Sequence, residues 1–220
     1  MDRHAERGPA LVVERAQGAR LYDVDGRSYV DGNSSWWVAL LGHNHPRLVA
    51  ALEAQAKQMC HVAMASIAHE PAAALAHELS SVAPDGLSRV FFSDDGSTAI
   101  EVAAKMCLQY WQQNGRPERQ RFVALSNAFH GETLTATAFG GVDVFRKPFL
   151  GVLLDCFHVE MSERGMATLE ELLDKEADSI AGCVVEPMVQ GAGGMRIHAA
   201  DCLRRVRELT QKHDVFLVAD

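Results

Sequence analysis

The sequence predicts an α/β protein in which a mostly parallel sheet is covered by helices, preceded by a small N-terminal antiparallel meander. Three observations carry that expectation. From Ser88 onward, strand-like and helix-like segments alternate, the order that produces parallel sheets with crossover helices. The strand-like pieces "RFVAL", "IAGCVV" and "VFLVA" are unbroken apolar runs, as expected when both faces of a sheet are buried. Between Leu11 and Val30, by contrast, "LVVERAQGARLYDVDGRSYV" breaks into three short pieces at Gly18 and at Asp25-Gly26, the latter a hairpin signal.

The elements can be justified in order. Pro46 suits a first helical position, and Leu48, Leu52, Ala56 and Met59 follow at helical spacing. A second helix carries Leu75, Leu79 and Val82, and "PDG" at 84–86 stops it. "RVFFS", residues 89–93, predicts a buried strand, and Ile100, Ala103, Cys107, Tyr110 and Trp111 mark one face of the helix after it. A helix is expected beyond His130, after "RFVAL". Thr168 and Glu171 have the T-x-x-E spacing of a capping box opening "LEELLDKEAD". Leu203, Val206 and Leu209 mark a helix face between "IAGCVV" and the closing strand.

Composition narrows the function classes. The 48% hydrophobic and 23% charged fractions are those of an ordinary soluble globular protein, and a net charge of −8 argues against a nucleic-acid partner. "MDRHAERG" has no apolar signal core and no stretch approaches the ~18 apolar residues of a membrane span, so cytoplasmic localisation, with no membrane partner, is expected. The five cysteines (Cys60, Cys107, Cys156, Cys183, Cys202) never form a C-x-x-C pair and read as reduced packing residues.

Four segments fall at strand ends, where parallel sheets place their ligands. In "SDDGSTAIE", Gly96 allows close backbone approach, and the amides of Gly96, Ser97 and Thr98 with the Ser97 hydroxyl make a phosphate cradle at a helix N-terminus; equally, Ser97 and Asp95 could simply cap the helix. In "NAFHGET", Phe129 and His130 offer an aromatic face to a flat ring, with clearance at Gly131; otherwise Phe129 packs in the core and His130 bonds a loop carbonyl. Glu186, in "VVEPMVQGAGGM", must be paired if buried and is a loop residue if solvated. Asp220 ends the strand "VFLVA".

A fifth segment, "NSSWWVALLGHNHP", holds adjacent Trp36 and Trp37, which can put one indole in the core and the other toward a cleft, or both in packing. His43 and His45 have no Cys, Asp or Glu beside them at zinc-ligand spacing, and no metal is expected. Gly191 and Gly193 begin G-x-G-x-x-G, but Arg196 occupies the third glycine's place, and no P-loop or G-x-S-x-G occurs. Jointly the residues describe a cofactor with one phosphate, one flat ring and one group that wants a carboxylate, and pyridoxal phosphate is such a molecule.

The segments "DGNSSWWVALLGHNHP", "FFSDDGSTAIEVAAKM", "FHGET" and "VVEPMVQGAGGMR" resemble the class III aminotransferases, pyridoxal 5'-phosphate-dependent enzymes of fold type I, over about Gly8 to Asp220. "SSWW" before "GHNHP" is the most discriminating: it resembles the branch that moves an amino group from S-adenosylmethionine to 8-amino-7-oxononanoate, giving 7,8-diaminononanoate in biotin biosynthesis. Relatives acting on ω-amino acids usually show a glycine-leucine-tryptophan pattern there.

The resemblance implies that Gly96 and Ser97 bind the cofactor phosphate, that Phe129 stacks on the pyridine ring, that His130 and Glu186 belong to the shell around it, and that Asp220 pairs with the pyridine nitrogen. Trp36, Trp37 and Phe129 would contact substrate, although relatives often carry Tyr at the Phe129 position. It also implies a homodimer, residues 1–50 as part of a small domain, and 51–220 as the large cofactor-binding domain. The family's Schiff-base lysine is expected beyond Asp220, as is its carboxylate-binding arginine. None of the five lysines (Lys57, Lys105, Lys147, Lys175, Lys212) is assigned to catalysis, so the 220-residue chain is expected to be inactive alone. It is also expected to be poorly soluble, because the family topology flanks the "VFLVA" strand with further elements and without them an apolar strand edge is left open. The family's N-terminal histidine-proline-tyrosine segment has no match in "MDRHAERG". Two alternatives are a non-catalytic protein that binds the cofactor or a partner chain, and an aminotransferase for another ω-amine.

Overall fold

The computed structural model describes residues 10–220; "MDRHAERG" and the start of the resemblance at Gly8 lie outside the described residues. The chain forms two compact units that divide between Val90 and Phe91.

In the first unit, β1 (Val13–Gln17), β2 (Arg20–Asp23) and β3 (Ser28–Val30) make the antiparallel meander, with β2 in the middle. Asp23 holds its second turn. That carboxylate accepts the amides of Asp25 and Arg27 at 3.0 and 2.8 Å and the Tyr29 hydroxyl at 2.9 Å. After β3, Ser34, Ser35, Trp36 and Trp37 all have positive φ (51°, 49°, 61° and 68°), one turn of left-handed helix. Such backbone costs L-residues about 1–2 kcal/mol each, and polar anchors offset it. The Asp31 carboxylate accepts the Ser35 amide at 2.9 Å and hydroxyl at 2.7 Å and lies 2.8 Å from His43 Nε2, while the Asn33 side chain accepts the Trp36 amide at 3.4 Å.

The Ser35 amide and hydroxyl, with His43, hold the Asp31 carboxyl at about 2. A carboxyl depressed in the folded state stabilises it fully above its unfolded pKa of ~3.9, and the contribution disappears as pH falls through the folded value. Tryptophan emission is therefore expected to change between about pH 4 and pH 2 as the turn at 34–37 loosens. Asp31→Asn should remove that acid transition; a variant titrating like the parent would count against the anchor.

Helices α1 (Pro46–Gln58) and α2 (Glu70–Val82) form where the periodicity puts them, with Pro46 in the first turn of α1. Their apolar faces are not covered among the described residues: Leu52 is 72% exposed, and Ala72 is the one buried residue of α2. Helical spacing predicts which residues share a face; it does not supply the surface that covers it.

The second unit contains α3 (Gly96–Gln113), β4 (Arg121–Leu125), α4 (Leu134–Phe139), α5 (Asp143–Arg146), β5 (Cys156–Val159), α6 (Glu163–Glu176), β6 (Ile180–Val185), a short hairpin of β7 (Val189–Gln190) and β8 (Arg196–Ile197), α7 (Ala200–Lys212) and β9 (Phe216–Ala219). The main sheet is parallel, in the order β5-β4-β6-β9, so the expected α/β class holds. Successive side chains of a strand point to opposite faces. Val123 and Leu125 therefore pack with Leu169 and Leu173 of α6 and Val206 and Leu209 of α7. Phe122 and Ala124 pack with Ile100, Ala104, Cys107 and Trp111 of α3 and Phe139 of α4. β6 is buried along its whole length, which explains the unbroken apolar run "IAGCVV". At the amino ends of the strands, the Arg119 guanidinium lies 4.2 Å from the centre of the Trp111 ring and donates to the carbonyls of Ile180 and Asp214.

Four local expectations are corrected. "RVFFS" is not a buried strand: no described strand pairs with it, and Phe91 is 64% exposed. The buried stripe of α3 is Ile100, Ala104, Cys107 and Trp111, with Tyr110 at its exposed edge. Thr168 does not cap a helix. The Ser162 hydroxyl accepts the Gly165 amide and starts α6 earlier, leaving the Thr168 hydroxyl to donate to the Arg164 carbonyl at 3.1 Å inside the helix. Finally, β9 is an edge strand among the described residues; Phe216, Leu217 and Val218 are half-buried and Ala219 is exposed, where complete burial is expected.

Candidate functional site

Where β4 leads through α4 to β5 on one side, β6 leads through α7 to β9 on the other, and α4 and α7 lie on opposite faces of the sheet. Such a reversal opens a crevice at the carboxyl ends of the strands involved. The residues that follow β4, β6 and β9 meet there.

His130, four residues into the loop after Ser126, has a fully buried side chain with Nδ1 2.7 Å from Asp220 Oδ2, at the end of β9. A carboxylate can only accept, so Nδ1 carries the proton of this bond. His130 Nε2 is buried without a partner among the described residues. The Glu186 carboxylate, just after β6, accepts the Phe129 amide at 2.9 Å with one oxygen and the Gly191 amide at 2.8 Å with the other. Glu186 is therefore paired, and it fixes the backbone that carries Phe129. The Phe129 ring is half-buried and meets Phe145 edge-on, with ring centres 5.5 Å apart.

The helix terminus at Gly96 joins the same cluster. Asp95 caps α3: its side chain accepts the Thr98 amide at 2.8 Å, while the Thr98 hydroxyl accepts the Asp95 amide at 3.0 Å. The alternative in which Ser97 also caps does not hold. The Ser97 hydroxyl instead accepts the Glu132 amide at 3.3 Å, in the loop that carries Phe129 and His130. Gly131 makes that approach possible: with φ +120°, a Cβ on it would lie 1.9 Å from Ser97 Oγ. A Cβ on Gly96 would meet nothing within 4 Å, so the helix N-terminus opens onto free space.

Gly96, Ser97, Phe129, His130, Glu186 and Asp220 thus belong to one unit and are linked through backbone and side-chain bonds. Trp36 and Trp37 belong to the other unit, and both are exposed, at 79% and 59%. Neither indole is in the core, so neither the reading with one core indole nor that with both in packing holds; side-chain bonds from Asp31 and Asn33 hold the turn. Sequence reasoning missed Asp31 and Glu101. Glu101 was within reach, since it stands one turn after Ser97 on the same helical face.

Among the described residues no group of three or more His, Cys, Asp or Glu side chains could hold a metal, and no helix is long and apolar enough to cross a membrane. The five cysteines are free, and burial pushes the Cys107 thiol up to about 11 and that of Cys183 to about 12.

A doubly covered parallel sheet with a helix N-terminus, an aromatic face and a carboxylate gathered at its strand ends has the architecture of the transaminases. The chain belongs to the class III aminotransferase family, whose model, described as "Aminotransferase class-III", matches residues 2–220. It is similar to proteins named adenosylmethionine-8-amino-7-oxononanoate aminotransferase: 41% identical to that of Synechococcus elongatus over 96% of this chain and 52% of the relative, and 36% identical to that of Geobacter sulfurreducens over 98% and 51%. A crystal structure of the enzyme of that name from Methanocaldococcus jannaschii superposes with a TM-score of 0.95 at 28% identity, covering 100% of this chain and 51% of the other. The omega transaminase of Pseudomonas jessenii in complex with PMP superposes with a TM-score of 0.92 at 28% identity, over 100% and 52%. The chain spans about half the length of the curated relatives it matches.

Proposed function

We propose that the chain supplies the cofactor-binding part of a pyridoxal-phosphate-dependent aminotransferase that passes the amino group of S-adenosylmethionine to 8-amino-7-oxononanoate in biotin biosynthesis. The observation that carries the cofactor reading is the convergence of Phe129, His130, Glu186 and Asp220 at the ends of three neighbouring parallel strands, beside the open helix terminus at Gly96. The residues fit the group. Free space over Gly96 suits a phosphate, and the unpartnered, buried His130 Nε2 marks a polar position that a bound molecule can satisfy.

Bound there, the cofactor supplies an electron sink for the substrate's Cα–H bond. The chain's residues do the rest. Gly96 and Ser97 hold the phosphate with backbone amides at the positive end of α3. Phe129 covers one face of the ring and sheds water from it. Asp220, whose Oδ2 is engaged by His130, would pair with the pyridine nitrogen and keep a proton there. Glu186 fixes the loop that sets the height of the Phe129 ring. Trp36, Trp37 and Phe129 contact substrate in this reading, which also takes residues 1–50 as part of a small domain, a homodimer as the working state and the cytoplasm as its location. Omega transaminases share the fold at nearly the same TM-score, so substrate choice rests on "SSWW" and on relatives 33–41% identical.

The direct test is calorimetric titration of the chain with pyridoxamine phosphate, which has no aldehyde and so needs no lysine. Saturable binding with one site per chain is expected, with inorganic phosphate competing. Absence of binding would sink the cofactor reading.

A further inference from the structure

The geometry points to Glu101 as a positioning residue that sets the ring-covering loop against the phosphate-binding helix terminus, an inference that rests on the cofactor reading above. Among the described residues Glu101 shares no hydrogen bond with Phe129 or His130. Its Oε1 accepts the Thr135 amide at 2.8 Å across 34 residues of sequence. Thr135 is the second residue of α4, and the α4 N-cap, Thr133, makes no side-chain capping bond. The first amides of a helix have no partner inside it, and Glu101 supplies one from α3. Burial pushes the Glu101 carboxyl up, but the hydroxyls of Thr135 and Thr133 and the amides of Thr135 and Ala136 together outweigh it and hold the group below the usual carboxylate range, so it is ionised when it caps.

The position on α3 gives this cap a second meaning. Ser97 and Glu101 are four residues apart, hence on one face of the helix. Ser97 accepts the Glu132 amide at 3.3 Å and Glu101 the Thr135 amide at 2.8 Å. Two successive turns of the helix whose N-terminus faces the phosphate thus grip both ends of the 132–135 segment. Its other side runs directly into Phe129 and His130, which Glu186 and Asp220 hold from the sheet. Without Glu101 the loop remains tied to the sheet but loses its strongest tie to the helix, so the ring site and the phosphate site can drift apart. A ligand that spans both sites feels that drift; one that occupies only the phosphate site does not. That is the loss of effective concentration expected when two linked binding sites are uncoupled.

The test compares Glu101→Leu and Glu101→Gln with the parent chain, by titration with pyridoxamine phosphate and with inorganic phosphate, each at a temperature where the variant is folded. Glu101→Leu is expected to weaken pyridoxamine phosphate about tenfold while phosphate affinity stays within about twofold. Glu101→Gln keeps an oxygen acceptor for the Thr135 amide and should recover most of the lost affinity, together with the parent's circular dichroism band of the bound ring. Should Glu101→Leu not fold, Glu101→Asp, one methylene too short to reach Thr135, is read in its place. Equal weakening of both ligands would mean a general structural role and overturn the inference, as would parental affinity in Glu101→Leu. If the parent itself binds phosphate but not pyridoxamine phosphate, the cofactor reading falls and the inference with it.

Discussion

Gly131→Ala is expected to cost about 2–4 kcal/mol of folding stability and to weaken pyridoxamine phosphate binding ten- to a hundredfold. Two effects add. The backbone at this position has φ +120°, which an L side chain rarely adopts, and the new Cβ would lie 1.9 Å from Ser97 Oγ, 2.6 Å from Ser97 Cβ and 3.0 Å from Ser97 Cα. Rotating the serine relieves only the first contact; the other two require the loop to retreat from α3. That retreat stretches the bond from the Glu132 amide to Ser97 and carries Phe129 away from the helix terminus. Gly96→Ala is the matched comparison, since its Cβ would meet nothing within 4 Å and folding stability should hold within about 1 kcal/mol. Urea unfolding of the two variants, followed by titration at a temperature where both are folded, gives the result. A Gly131→Ala chain as stable as the parent, with parental affinity, would show that this close approach does not matter.

The same glycine shows how much of the site was legible in the sequence. A Gly after an aromatic-histidine pair at a strand end signals clearance, but not what is being cleared; the sequence does not show that Ser97, thirty-four residues earlier, is the neighbour. Single positions at strand ends were readable because a parallel sheet gathers its loops at one edge. The bonds between them were not. Glu186 required a partner if buried, and it has two backbone amides, from Phe129 and Gly191, which no side-chain pattern announces. Ser97 and Asp95 were both candidate caps, and only the fold separates them.

Elements were legible where local chemistry decides them and less so where neighbours do. "IAGCVV" is a strand because it lies between β4 and β9 and is covered on both faces. "RVFFS" has the same apolar character but no paired neighbour among the described residues, and an apolar run without a ladder is not a strand. The four left-handed residues at 34–37 contradict every local propensity of Ser and Trp, and the anchors that hold them, Asp31 and His43, lie on either side of the turn. Backbone of this kind persists only where surrounding bonds over-determine it.

Asp220→Asn carries the largest expected effect on the chemistry. Asparagine has nearly the shape of aspartate and still offers an oxygen to His130 Nδ1, which lies 2.7 Å from the carboxylate, so the loop should stay in place. What changes is charge. An anion beside a protonated ring nitrogen raises its pKa by about 1–3 units, and because the Asp220 side chain is 32% exposed the lower part of that range is expected. Removing the anion should therefore lower the pKa of the ring nitrogen in bound pyridoxamine phosphate by about 1–2 units, read as the pH dependence of its absorbance. Each unit is about 1.4 kcal/mol, a factor of ten in the population of the protonated ring, which is the form able to take up electrons. His130→Phe separates the two parts proposed for Asp220. In that variant the carboxylate keeps its charge but loses the partner that aims it, so affinity should fall while the ring titration moves less than in Asp220→Asn. If the two variants shifted the titration equally, Asp220 would act through His130 and not on the ring. If neither shifted it, the carboxylate at the end of β9 would have no part in holding that proton.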